Sequence, residues 1–111
     1  GRRFSAARAF LEPVRHRPNL TILTGAQVER VLFDGPRASG VRLRGRDLPL
    51  APGGEVVLCG GAINSPQLLQ LSGIGPGADL QRLGIPVLHD APDVGANLAD
   101  HLDISIQAAL R

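Results

Sequence analysis

The residues of this sequence best suited to hold a ligand are Gly60, Gly61 and Ala62, which follow a short apolar run. Because their side chains are small or missing, the main chain can lie directly against a bound molecule, and its N–H groups can face a phosphate or a ring. The same residues are typical of a tight turn between a strand and a helix that binds nothing. Taken alone, these residues leave both interpretations open.

Other residue types that could do chemistry are few. Asp100 and His101 could form an acid–base pair, but adjacent residues of a strand point to opposite faces, so we expect a structural hydrogen bond there. No group of His, Cys, Asp and Glu has the spacing of metal ligands, which predicts no metal site. Cys59 ends the apolar run and is expected to pack as a small apolar residue. The sequence therefore assigns no catalytic residue.

Residues 73–78 (GIGPGA) fit the dinucleotide fingerprint G-x-G-x-x-A only superficially. That fingerprint must follow a strand and open a helix, whereas the residues before Gly73 are predicted to be helical. Pro76 also removes an N–H that would face a phosphate. We therefore expect a helix end and a link to the next helix.

The elements that must position these residues are predicted in the order helix, several strands, two helices and an extended tail. A helix is predicted from Ser5, and an apolar helix with Ser65 as cap and Pro66 at its first position. A second short helix is expected over residues 78–83. Strands are predicted over residues 20–24, 27–34, 40–44, 48–50 and 55–59, with a last one over 104–110.

The predicted strands differ in their surroundings. Residues 27–34 and 40–44 flank Gly35-Pro36 and form an antiparallel hairpin, while the nearly all-apolar run 55–59 is expected to be buried on both faces. A helix after a buried strand is typical of a nucleotide-binding layer. The fold class is therefore α/β, a mixed α+β arrangement forming part of a Rossmann-like domain with an antiparallel hairpin.

Composition narrows the class of protein. The chain has 111 residues, 43% of them hydrophobic, which is enough for a core. The first 47 residues hold ten Arg against four acidic residues, but there is no Lys and hardly any aromatic residue for base stacking. Arg42, Arg44 and Arg46 alternate with apolar residues as on the solvent face of a strand. We predict no nucleic-acid partner and no transmembrane segment, since no apolar run approaches about 20 residues.

Residues 61–75 (GAINSPQLLQLSGIG) resemble, at all fifteen positions, the second signature of the glucose-methanol-choline (GMC) flavin oxidoreductases. The flanks are similar to the same family, in particular its choline dehydrogenase-like members. These flanking stretches are residues 5–11 (SAARAFL), 18–21 (PNLT), 24–28 (TGAQV) and 94–101 (VGANLADH).

The resemblance implies FAD as cofactor and oxidation of an alcohol, choline or another primary alcohol, to an aldehyde. It also implies that Val28 contacts the adenine through main-chain atoms, since a strand N–H and C=O can pair with adenine's ring acceptor and amino donor. The turn at Gly60, Gly61 and Ala62 would then pass near the ADP half of FAD.

The chain departs from the family pattern in lacking the N-terminal G-x-G-x-x-G and the C-terminal catalytic histidine. We therefore expect residues 1–111 to be an internal fragment of the FAD-binding domain, inactive alone, with residues 102–111 leading toward the substrate domain. The alternative is a non-catalytic α/β module that binds a nucleotide or a protein. We expect a cytoplasmic location, with peripheral membrane association as the alternative. The sequence leaves the oligomeric state open.

Overall fold

A computed structural model describes residues 3–104 of the chain. A π-helical segment, Ala7–Leu11, runs into a 3-10 turn, Glu12–Val14, where the sequence predicts a helix. The remaining elements, in chain order, are β1 (Val28–Asp34), β2 (Arg37–Leu43), β3 (Arg46–Pro49), α1 (Gly61–Leu71), β4 (Ile74–Gly75), α2 (Gly77–Arg82) and β5 (His89–Asp90).

The first three strands form an antiparallel sheet in the order β1-β2-β3. The predicted hairpin is confirmed, with Val31 opposite Val41 and Val28 opposite Leu43. Val31 and Leu43 are buried, because they lie on the face of the sheet toward the rest of the chain. α1 packs against β1 and thereby covers the hairpin on one side. The mixed α/β class with an antiparallel hairpin is confirmed.

α1 begins at Gly61, a full turn earlier than the Ser-Pro start predicted from the sequence. Ser65 lies inside the helix, yet its hydroxyl still accepts a hydrogen bond from the N–H of Gly60 at 2.9 Å. Pro66 is also inside the helix and has no N–H to donate to the carbonyl of Ala62. The serine therefore supports the helix start from within, and α1 gives up one backbone bond at the proline.

The segment after α1 forms a second, smaller unit. Gly73 ends the helix with φ +89°, and β4 then pairs in parallel with β5. Leu80 of α2 is only 1% exposed and forms the core of this unit. The N–H of Gly77, at the start of α2, donates to the carboxylate of Asp90 at 2.8 Å. A carboxylate thus lies where a phosphate would have to bind, and the helix end and link expected for residues 73–78 is confirmed.

Two predicted strands are wrong. Residues 20–24 and 55–59 are irregular, and in the second stretch Val57 is 76% exposed while Val56 and Leu58 are half-buried. A strand needs a neighbour for its N–H and C=O groups, and no described residue pairs with 55–59. Of the strand predicted over 104–110, all but residue 104 lies outside the described residues. Between residues 3 and 104, no helix has the length and apolar character needed to cross a membrane.

Candidate functional site

A cleft of about 540 Å³ opens between the hairpin, residues 56–60 and one face of α1. Val28 and Gly60 both line this cleft, and Leu68 and Leu71 of α1 lie along it as well. We call it the Val28–Gly60 cleft. Its size is in the usual range for pockets that hold cofactors or small ligands.

Val28, which lines this cleft, has an accessible main-chain carbonyl. It is the first residue of β1, and the register of the hairpin shifts directly after it, between Val28 and Arg30. Its carbonyl accepts a hydrogen bond of 3.3 Å from the side-chain amide of Gln27, which is exposed. An oxygen that a solvent-exposed amide reaches is open to a donor from a ligand as well, since a carbonyl has two lone pairs.

Gly60 and Gly61 shape the turn into α1. A Cβ on Gly60 would lie 3.0 Å from Cβ of Asn64 and 3.2 Å from the nitrogen of Ser65, so a side chain there would force its neighbours to shift by a few tenths of an ångström. Gly61 has φ +79°, and a Cβ on it would meet nothing within 4 Å. No side chain caps the helix start. The N–H groups of the first turn therefore lack a side-chain cap, and they lie at the positive end of the helix dipole.

Ala62 lies elsewhere. It borders a second depression of about 660 Å³, on the opposite face of α1, together with Gly95 and Asn97. We call it the Ala62–Gly95 groove. The structure thus brings Val28 and Gly60 into one cleft, leaves Gly61 open at the helix start, and turns the side chain of Ala62 away. Gln27 also lines the cleft and was missed, because nothing in the sequence shows where its amide points.

Each face of α1 is fastened to its neighbour by one polar side chain. The hydroxyl of Ser72 accepts from the N–H of Val31 in β1 at 2.8 Å and donates to the carbonyl of Leu68 at 2.6 Å. On the other face, the amide of Gln70 donates to the carbonyl of Val94 at 2.8 Å. Ser72, which does not itself line the Val28–Gly60 cleft, therefore attaches the end of α1 to β1, whereas Gln70 lines the groove and attaches α1 to the loop there.

The remaining candidates carry no site. The ring Nδ1 of His101 lies 3.3 Å from the carboxylate of Asp100, so the two side chains meet instead of pointing apart as expected. Both side chains are about nine-tenths exposed, so neither is held in a site that excludes water. Cys59 is exposed, which corrects the expectation that it packs in a core. Among residues 3–104, no cluster of His, Cys, Asp and Glu could hold a metal ion.

The hairpin carries an ion pair outside the Val28–Gly60 cleft. Arg42 and Asp47 face each other across β2 and β3, with a bidentate pair of hydrogen bonds at 2.6 and 2.7 Å. This hydrogen bonding, with the charge of Arg42, lowers the pKa of the Asp47 carboxyl below its ordinary value. The pair lies one residue from Leu43, which is opposite Val28, and so supports the strand pairing at that end of the cleft.

Comparison with known proteins places this geometry in context. The family model described as GMC oxidoreductase matches residues 1–103. The oxygen-dependent choline dehydrogenase of Burkholderia multivorans is 56% identical over 109 residues, covering 96% of this chain and 19% of that protein. The enzyme of the same name from Burkholderia cenocepacia is 57% identical over 109 residues, which cover 96% of this chain and 19% of that protein. The chain thus spans about a fifth of the length of these curated relatives.

Two solved structures show the same arrangement of elements. Pyridoxine 4-oxidase from Mesorbium loti superposes with a TM-score of 0.71 and 42% identity, over 80% of this chain and 18% of that one. Formate oxidase from Aspergillus oryzae RIB40, a protein whose FAD modification has been examined by mutation, superposes with a TM-score of 0.62 and 33% identity. That match covers 71% of this chain and 15% of the oxidase.

Proposed function

The chain belongs to the GMC oxidoreductase family, and we propose that the full-length gene product is an FAD-dependent enzyme that oxidises the CH–OH group of an alcohol. Choline or another primary alcohol is the substrate class, and an aldehyde is the product. Residues 1–111 contribute to the FAD-binding domain, and residues 102–111 lead toward the substrate domain. The names of the relatives support the reaction class, and the geometry of the Val28–Gly60 cleft supports the cofactor.

One observation carries the cofactor proposal: Val28 and the Gly60 turn, which are more than thirty residues apart in the sequence, line the same cleft. The Val28 carbonyl already accepts an amide N–H from Gln27. An adenine amino group is a donor of the same kind, so the residues present fit the adenine end of FAD. The open start of α1 at Gly61 fits the approach of a phosphate.

The chain's own residues would bind and orient FAD, and would do no chemistry on the substrate. When bound, the flavin supplies the acceptor for the hydride that leaves the alcohol carbon. Val28 would hold the adenine through its N–H and C=O. The Gly60 turn, held by the hydroxyl of Ser65, would form the facing wall. His101 is 88% exposed at its side chain and is assigned no catalytic role.

The proposal is tested in the full-length gene product with Val28→Pro and Val28→Ile. Proline removes the N–H that adenine would accept from, whereas isoleucine leaves the main chain unchanged. We expect at least a tenfold weaker retention of FAD in Val28→Pro and near-normal flavin content in Val28→Ile, measured as the ratio of flavin to protein absorbance. Turnover of choline and simple primary alcohols is then followed with oxygen or a dye as acceptor.

Thermal unfolding of both variants provides the control, since a folded Val28→Pro protein with lost flavin isolates the main-chain contact. Equal flavin occupancy in the two variants would argue against the adenine role of Val28. Bound FAD without turnover of any alcohol would argue against the reaction class.

A further inference from the structure

Ser72 closes a chain of hydrogen bonds between α1 and β1. Its hydroxyl donates to the Leu68 carbonyl inside the last turn of the helix and accepts from the Val31 N–H in the strand. Val31 is only 5% exposed, so water has little access to replace the hydroxyl. The Ser72 hydroxyl thus makes one hydrogen bond as a donor, to the helix, and one as an acceptor, from the strand.

The position of the Ser72–Val31 hydrogen bond affects the distance between the two walls of the Val28–Gly60 cleft. Ser72 follows the C-terminal end of α1, and Gly60 precedes its N-terminal end, about 18 Å away at the helical rise per residue. Val28 precedes Val31 in β1 by about 10 Å along the strand. Val28 and Gly60, which line the cleft, therefore both lie away from the Ser72–Val31 contact, toward the N-terminal ends of β1 and α1. A small change of angle at that contact becomes a larger change at the mouth.

A serine within α1, Ser65, fixes the other wall. The hydroxyl of Ser65 accepts from the Gly60 N–H at 2.9 Å, so the turn is tied to the helix itself. With Gly60 tied to α1, the separation between Gly60 and Val28 depends on how β1 is attached to α1. Ser72 provides the polar part of that attachment, beside the apolar packing of Val31.

We propose that Ser72 is a positioning residue for adenine recognition: its hydroxyl sets β1 against α1 so that the main-chain atoms of Val28 face the base. This inference rests on the proposed function, because it needs an adenine at Val28. Ser72 touches neither the cofactor nor the substrate, and its effect passes through Val31 and the strand.

The test compares FAD with flavin hypoxanthine dinucleotide, in which an oxo group replaces the adenine amino group and the ring nitrogen beside it carries a proton. Both atoms that would meet Val28 then have the wrong hydrogen-bonding sense, so the wild-type apoprotein should bind FAD at least tenfold more tightly than the analogue. In Ser72→Ala we expect FAD affinity to fall about tenfold and the preference to shrink to within about threefold. Ser72→Thr keeps the hydroxyl and should keep the preference.

A role confined to stability would leave the ratio of the two affinities unchanged, because both ligands need the same folded protein. Ser39→Ala, in an exposed part of β2, is the matched control. If Ser72→Ala fails to fold, Ser72→Cys replaces it, and its weaker acceptor should give an intermediate preference. A full wild-type preference in the folded variant overturns the role of Ser72 alone. A wild-type ratio near one overturns the adenine contact itself, and the positioning role with it.

Discussion

The two faces of α1 border depressions whose walls differ in backbone structure. The Val28–Gly60 cleft is lined by residues of the hairpin, of the turn at the helix start and of α1, and the Ser72 hydroxyl, outside the cleft, ties the end of α1 to β1. The Ala62–Gly95 groove is walled by a loop, and the Gln70 amide fastens it. A regular strand presents N–H and C=O groups at fixed spacing, whereas the loop depends on close packing around a single side chain.

That difference shows how one motif can serve two surfaces. The small residues of the turn are adjacent in sequence, yet Gly60 borders the cleft while the side chain of Ala62 borders the groove. Ser72 and Gln70, two residues apart, fasten opposite sides in the same way. Substitutions in α1 should therefore disturb the depression on one face and leave the other unchanged. The exception is the C-terminal end of the helix, where the hydrogen bonds of Gln70 and Ser72 lie close together.

The largest effect is expected from Gly73→Ala, at that end. Gly73 has φ +89°, and a Cβ there would lie 2.6 Å from the Pro86 carbonyl oxygen, a backbone atom that cannot swing away. Strain in the left-handed region and the collision together should lower the free energy of unfolding by about 3 kcal/mol. Both depressions should lose their shape, which a combined loss of FAD affinity and of thermal stability would report.

Gly84→Ala is the matched control for that variant. Gly84 has φ +72° and also follows a helix, but a Cβ there would meet nothing within 4 Å. It should therefore show the conformational strain alone, about 1–2 kcal/mol. Equal destabilisation by the two variants would contradict the importance of the contact with Pro86.

Gln70→Ala should separate the two faces. The side chain lies where a Cβ on Gly95 would come within 2.6 Å of its amide nitrogen, and a Cβ on Gly75 within 2.8 Å of its Cγ. Removing it leaves the Val94 carbonyl without its donor and opens a gap, which should cost about 1–2 kcal/mol. Amide hydrogen exchange should quicken over residues 94–99 and stay unchanged in β1.

Gln81→Ala is the control, because Gln81 is an exposed glutamine of α2, a helix that lines neither depression. Faster exchange at Val31 in Gln70→Ala, as large as that over residues 94–99, would show that the two faces are coupled. The comparison between them would then fail.

The hairpin was predictable from the sequence because its cause is local. Alternating residues on either side of Gly35-Pro36 specify two strands and a turn without reference to any other segment. The strand predicted over 55–59 was wrong because an apolar run shows a need for burial and says nothing about a partner strand. No described residue supplies that partner.

The candidate site, too, was predictable only where its cause is local or where the family resemblance points to it. Gly60 follows from the need for a residue without a side chain in a tight turn, and Val28 from the family resemblance. The separation of Ala62 was not predictable, because it depends on where α1 begins. A helix starting at Ser65 would leave Ala62 in the turn, whereas the observed start at Gly61 places it on a helical face.

The smallest effect is expected from Asp47→Asn, which tests the hairpin side alone. The bond to Arg42 lowers the pKa of the Asp47 carboxyl in the folded protein, so the ion pair stabilises the hairpin above the ordinary pKa of 3.8. That contribution disappears as the pH falls through the lowered folded value. Both side chains are more than a third exposed, so the stability difference at neutral pH should be small and should shrink with added salt.

The measurement is thermal unfolding of wild type and Asp47→Asn between pH 7 and pH 3. The two curves should converge toward acid, because protonation of Asp47 removes the same charge as the substitution. Asp34→Asn, at the far end of β1, controls for the loss of a surface carboxylate near the sheet. Arg42 precedes Leu43, the residue opposite Val28. FAD affinity should therefore fall together with hairpin stability in Asp47→Asn. Amide hydrogen exchange over residues 94–99 should not change. If the difference in thermal stability between wild type and Asp47→Asn stays constant down to pH 3, the ion pair does not support this end of the cleft.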